Sequence, residues 1–189
     1  MRAWRKAELI LAAGLLLALA SASSLAAFEI TRIDASAADR TLTVSGDIDL
    51  SLNNKVEEAI SRGIPLDVEL ELRLYRKRPI IWDQHIATWT IRRRIRYHAL
   101  SGQYLVSNQK SPRARLENFR SLRQALRQMG SLNGIEFKLP EPVRKGGRYE
   151  LETRVELDIE SLPPPLRPVA YTSLAWHLDS GWTTWTVHH

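Results

Sequence analysis

Leu66, Val68, Leu70, Leu72 and Leu74 alternate with Asp67, Glu69, Glu71, Arg73 and Tyr75. A period of two sends successive side chains to opposite faces, so this stretch predicts a strand with one core face and one wet face. The same alternation recurs at the other end of the chain. Tyr149, Leu151, Thr153, Val155, Leu157 and Ile159 point one way, and Glu150, Glu152, Arg154, Glu156, Asp158 and Glu160 point the other. Phe28 to Ala37 and Thr41 to Leu50 predict two further strands joined by an Ala-Asp-Arg turn, with Leu42, Val44, Gly46, Ile48 and Leu50 on one face. Ile80 to His98 predicts a long strand. Ala87, Trp89, Ile91, Ile95 and Tyr97 take its apolar face, and Thr88, Thr90, Arg92, Arg94, Arg96 and His98 its polar one. Arg93 lands on the apolar face, a conflict that a bulge beside it would relieve. A turn at Ser101-Gly102 leads into a short strand, QYLVSN.

Two segments change period. In SLNNKVEEAISRG, Leu52, Val56, Ala59 and Ile60 fit helical spacing, with Ser51 as cap and Gly63 as stop. Ser111-Pro112 opens a second predicted helix with the apolar stripe Leu116, Phe119, Leu122, Ala125, Leu126 and Met129, closed by Gly130. LPEPVRKGGR reads as a loop, PPPLRP as a stiff extended segment, and the remainder as an aromatic tail. The expected architecture is mainly β: an antiparallel β-sandwich-like domain with two helices, spanning 27–189 as one unit.

The first 26 residues stand apart from this pattern. Arg2, Arg5 and Lys6 precede the apolar run from Leu9 to Ala20, and small residues follow it up to Phe28. These are the three parts of a secretory signal peptide, with cleavage expected after Ala26. The apolar run is short of the roughly 20 residues that a membrane-spanning helix needs. The expected location is therefore the periplasm, the alternative being an uncleaved inner-membrane anchor. The chain has no cysteine, which removes thiol catalysis, thiolate metal sites and disulfides.

Charge sharpens the reading. From Arg73 to Arg127 there are 14 basic residues against Asp83 and Glu117 alone, whereas the two acidic ladders lie outside that stretch. In the conspicuous cluster Arg92, Arg93, Arg94 and Arg96, the three on the polar face, Arg92, Arg94 and Arg96, are expected to pair with carboxylates on a neighbouring strand, mainly from the 150–160 ladder or from Glu69 and Glu71. Nucleic acid is not an expected partner, because those ladders repel phosphate and no binding motif is present. Arg113, Arg120 and Arg127 recur every seven residues along the second predicted helix. They form a candidate docking stripe for an acidic protein or an anionic membrane surface.

Catalytic chemistry finds little support. Asp83 and His85 are the one acid–histidine pair close in sequence, and no nucleophile or oxyanion site accompanies them. No HExxH, G-x-S-x-G or glycine-rich phosphate loop occurs. No catalytic, metal-binding or cofactor-binding residue is assigned, and no cofactor is expected. Trp176, Trp182 and Trp185 form a candidate aromatic tail, read first as closing one edge of the fold and second as a platform for a ligand.

The run LPPPLRPVAYTSLAWHLDSGWTTW resembles the C-terminal signature of the domain of unknown function 4390 family of proteobacterial exported proteins. The resemblance rests on Leu166, Arg167, Ala170, Tyr171, Trp176, Leu178, Ser180, Trp182 and Trp185, with the strands around LDVELELRLYRKR and TWTIRRRIRYHALSGQYLV similar as well. It implies a small exported protein with no assigned activity or site residues. It also implies a gene neighbourhood shared with a membrane sensor kinase, whose ectodomain becomes a candidate partner. The expected function is a periplasmic, non-enzymatic accessory or interaction protein linked to such a signalling system. The alternatives are a binding module for a lipid-like or apolar ligand between the sheets, and an enzyme built on Asp83 and His85.

Overall fold

The structure, a computed structural model, describes residues 27–108, 116–144 and 146–189. The expected signal peptide lies outside them, as does Arg113. Nine strands run in the chain order β1 Phe28–Ala38, β2 Thr41–Leu50, β3 Leu66–Arg76, β4 Gln84–His98, β5 Gln103–Asn108, β6 Glu117–Phe119, β7 Ser131–Lys138, β8 Tyr149–Leu157 and β9 Thr183–His188. Helix α1, Asn54–Ser61, separates β2 from β3, helix α2, Leu122–Gly130, separates β6 from β7, and helix α3, Arg167–Thr172, lies between β8 and β9. The protein is mainly β with few helices.

All nine strands join one sheet in the order β6-β5-β4-β3-β8-β9-β1-β2-β7. Every neighbouring pair is antiparallel except β1 and β9, which run parallel. The sheet curls until β7, an edge strand, faces β4. The rings of Trp89 and Phe137 meet there at 5.1 Å between centroids. Curling turns the apolar side of each alternating strand inward. Leu72, Leu74, Ile95, Leu151 and Val155 are all sealed from solvent as a result. The two halves of the sheet thus pack face to face while remaining one hydrogen-bonded surface.

Helix α2 fills the seam against β2, β5 and β6. Gly130 makes that approach: a methyl group in its place would collide with the carbonyl oxygen of Ile48. Helix α1 begins at Asn53, whose side chain accepts from the Val56 N–H at 3.1 Å, two residues beyond the expected cap at Ser51. It ends as expected at Gly63. With φ at 84°, Gly63 lets its own N–H reach the Ile60 carbonyl and that of Ile64 reach the Ala59 carbonyl.

Several boundaries differ from the pattern-based expectation. The long strand begins at Gln84 rather than Ile80, because Ile80 to Trp82 stand exposed at the tip of the β3–β4 hairpin. The bulge in β4 falls at Ile86, between the pairs Leu74–Ala87 and Tyr75–His85, and not near Arg93. The second helix is shorter than its apolar spacing implied. Ser121 caps it by accepting from the Gln124 N–H at 3.3 Å, while Glu117–Phe119 pair with β5 as a strand. Strand β7 went unplaced because Asn133-Gly134 interrupts its alternation; the register against β2 shifts there, from Val44–Ile135 to Gly46–Leu132. PPPLRP begins a compact run of 3₁₀ turns and helix α3 instead of an extended segment. The aromatic tail supplies β9, inserted between β8 and β1.

Candidate functional site

The arginine cluster resolves into three different roles. Register places Asp67 opposite Arg94 and Glu69 opposite Arg92. Arg94 donates through Nε and Nη2 to the two Asp67 carboxylate oxygens at 2.6 and 2.8 Å, a bidentate pair whose acid is 2% exposed. Arg92 binds Glu69 through both Nε and Nη2, and its Nη2 lies 3.6 Å from Asp158. These two cations are therefore consumed by the sheet, as the charge pattern predicted. Arg96 is not: it sits opposite Leu105, exposed, with no ion pair to a described residue. Arg93 is the one that the alternation misplaced. Its half-buried guanidinium turns toward the C-terminus of α2 and donates to the carbonyls of Gln128, Met129 and Ser131 at 3.1, 2.6 and 2.8 Å. Helix ends leave carbonyls without partners and carry partial negative charge, so a cation there is satisfied on an otherwise apolar face. Burial lowers the Arg93 pKa, and Glu117 works against that shift.

The outer face of β3, β8 and the C-terminal segment continues the ladder. Arg154 binds Asp179 and lies 2.8 Å from Glu156. Burial alone would raise Asp179. The hydrogen bonds from Arg154 and the Gly181 N–H outweigh it and hold the carboxyl below its ordinary range. Glu156 moves the other way: burial raises it, with repulsion from Asp179, Glu69 and Glu71, and Arg154 offsets only part. Arg73 stacks over Trp182, 4.1 Å from the ring centroid.

The three tail tryptophans do not form one platform. Trp176 is buried with its Nε1 unpartnered, Trp182 lies on the outer face under Arg73, and Trp185 donates Nε1–H to Thr153 Oγ1 at 2.9 Å from the inner face. Leu174, in the same 3₁₀ turn as the buried Trp176, is 79% exposed.

Asp83 and His85 are near in sequence but engaged elsewhere. Asp83 accepts from Lys77 Nζ at 2.6 Å and from the Arg78 N–H at 3.2 Å, and the Lys77 bond holds its pKa below the usual carboxylate range. His85 Nε2 meets Thr88 Oγ1 at 2.8 Å, with its ring edge-on to Tyr75. Among the described residues no group of three His, Cys, Asp or Glu is placed to hold a metal ion. No helix among them is long and apolar enough to cross a membrane.

Of the docking stripe, Arg120 sits in the bend ahead of α2 and Arg127 in its last turn. They do not share a helical face, because the helix starts after Arg120. Arg127 instead joins Arg123 on one wall of an open groove of about 1280 Å³. Asp47, Asp49 and Glu57 line the same groove, as do the apolar side chains of Phe119, Leu122 and Leu126. Sequence reasoning missed this groove, since its walls come from β2, α1 and α2 and meet only in the fold. The second feature it missed is the hairpin tip, where Ile80, Ile81 and Trp82 are 92, 59 and 94% exposed. A signal for that was present: three successive apolar residues after Pro79 break the alternation on which the strand assignment rests.

Comparison with curated proteins and with solved structures gives no match. The family model for a domain of unknown function (DUF4390) matches residues 26–186, nearly the whole length over which the sheet, the groove and the tail are built, and the chain belongs to that family.

Proposed function

We propose that this protein is an exported, non-enzymatic accessory protein that acts in the periplasm by holding a protein partner, the ectodomain of a membrane sensor being the candidate. The observation that carries the reading is the groove beside α2. Its lining joins apolar side chains to basic groups of α2 and acidic groups of β2 and α1, the composition that favours an extended or helical segment bearing both an apolar side chain and charges. The histidines give the same direction: His85, His98 and His177 are each bonded to a hydroxyl or carbonyl three or four residues away. The alternative of an apolar ligand inside the fold is disfavoured by the packing. The interior void bounded by Leu70, Ile91, Met129 and Val155 is about 10 Å³, room for at most one water.

The test uses a photo-crosslinking residue at Gln124, which lines the groove. Illumination of intact cells is expected to give a discrete adduct that is lost when Arg123 and Arg127 are both changed to Glu, with the melting temperature little changed. An adduct untouched by that double reversal, or none at Gln124 while a probe at Glu29 forms one, would sink the groove as the partner site. Intact mass of the protein recovered by osmotic shock is expected to correspond to a chain beginning at Ala27; a retained leader in the membrane pellet would favour the anchored alternative.

A further inference from the structure

We infer that the tip of the β3–β4 hairpin is a membrane-contact element that dips Ile80, Ile81 and Trp82 into the headgroup layer of an anionic bilayer. Of three adjacent large apolar side chains, Ile80 and Trp82 are more than nine-tenths exposed and Ile81 more than half exposed. They are not loosely tethered. Lys77 and Asp83 bridge the base of the loop, the Arg78 N–H closes it onto Asp83 Oδ1, and the guanidinium groups of Arg76 and Arg78 both bind Gln84. This brace holds the apolar residues away from the sheet rather than letting them fold back on it.

The residues around the tip point to lipid as the occupant. The β1–β2 turn and the β7–β8 loop gather at the same end of the sheet: the Lys77 N–H donates to the Arg148 carbonyl, the Leu139 N–H to that of Arg40, and the Val143 N–H to that of Asp39. Arg40, Lys138, Arg144 and Arg148 are exposed there with no ion pair to a described residue. The neighbouring acids Asp83 and Glu150 lie against Lys77, and Glu141 against Arg76, while Asp39 and, two residues before Lys138, Glu136 have no ion pair among the described residues, so the unpaired groups of this end remain in cationic excess. An aliphatic pair flanked by Trp and ringed by unpaired arginines matches the layered chemistry of an anionic bilayer surface: acyl boundary, carbonyl zone, phosphates. A convex three-residue tip is also far smaller than the roughly 800 Å² that each side of a stable protein interface buries. Phe28 pairs with Leu50 at the far end of β1, so the tip lies at the opposite end of the sheet from Ala27 and is a separate contact from any leader. Only its biological setting rests on the envelope location proposed above; the binding itself does not depend on the groove or its partner.

The absence of cysteine makes a direct test available. Ile81→Cys and, on α1 at the far end, Ser61→Cys each give the full chain a single thiol for an environment-sensitive fluorophore. With vesicles of phosphatidylglycerol and phosphatidylethanolamine carrying a nitroxide lipid, the label at 81 is expected to shift to the blue and to be quenched several-fold more than the label at 61. The response should weaken on phosphatidylcholine vesicles and as salt shortens the screening length below about 8 Å. Ile80→Ser with Trp82→Ser is expected to reduce vesicle partitioning by about tenfold or more. Equal quenching at 61 and 81 would overturn the inference, since it would mean that some other part of the chain holds the protein on the vesicle. A blue shift at 81 that grows with protein concentration in the absence of vesicles would overturn it too, and would assign the tip to a second copy of the chain.

Discussion

The two ends of one hairpin behave in opposite ways. Along the β3–β4 ladder, charges that look ready for a partner are already satisfied: Arg92 by Glu69, Arg94 by Asp67. At the connecting tip, three unremarkable apolar residues are left largely uncovered. Density of one residue type is thus a poor guide to function in this protein. What marks a surface for use is a group whose partner the fold does not supply. Arg93 makes the same point inside the cluster, since its neighbours bind carboxylates while it binds the end of a helix.

If the ladder is structural, breaking it must cost stability. Arg94→Glu would set a carboxylate against Asp67, which is buried. The change removes both hydrogen bonds of the bidentate pair and sets like charges together beside a buried acid, and the expected loss is about 3 kcal/mol in chemical denaturation, less than the full buried-pair figure because Arg94 itself is partly exposed. Changing Arg94 to Gln together with Asp67 to Asn should lose clearly less. An Arg94→Glu protein as stable as the parent would break the contrast at its strongest point.

Arg93→Gln should cost about 2 kcal/mol, through carbonyls of α2 and Ser131 left short of a charged donor. Hydrogen exchange should rise in the last turn of α2 more than in β4, which separates a lost cap from a damaged strand. Acid titration gives a third, smaller effect. Asp179 and Asp83 are held below their ordinary range in the fold. A depressed folded pKa means stability present above the unfolded value, near 3.9, and lost as pH falls through the folded one. Asp179→Asn should therefore flatten the decline of melting temperature below about pH 4. Glu156 has the opposite sign, so Glu156→Gln at neutral pH should be neutral to slightly stabilising, within about 0.5 kcal/mol, despite the loss of its contact with Arg154. Smallest of all should be the tip. Serine at 80, 81 and 82 is expected to leave the denaturation midpoint within about 0.5 kcal/mol of the parent. A large loss there would mean that these residues pack in solution, and the difference between ladder and tip would disappear.

Local alternation was enough to place the strands that have one dry and one wet face. The inward sets of β3 and β8 are buried as their spacing demands; charge showed that Arg92 and Arg94 would meet acids of a neighbouring strand, while the choice of β3, with Asp67 and Glu69, over the 150–160 ladder was made by register. Legibility failed where a bulge or a cap intervened. Asn133-Gly134 hid β7, Ser121 cut α2 short, and the tip was absorbed into a strand because isoleucine and tryptophan suit strands as well as they suit loops that meet lipid. The groove was not legible at all. Asp47 and Glu57 lie far in the chain from Arg127, and no spacing rule links them.

By itself, then, the order of residues determined which faces must be buried, where the chain must turn, and which charges can neutralise one another, because those depend on neighbours at fixed local spacing. Only the tertiary structure decided that nine strands form one curled sheet with β9 parallel to β1, that Arg93 serves a helix end from β4, and that Ile80, Ile81 and Trp82 stay outside. Those outcomes depend on which distant surfaces meet. That is settled by the summed burial of the whole core rather than by any preference that a short segment carries.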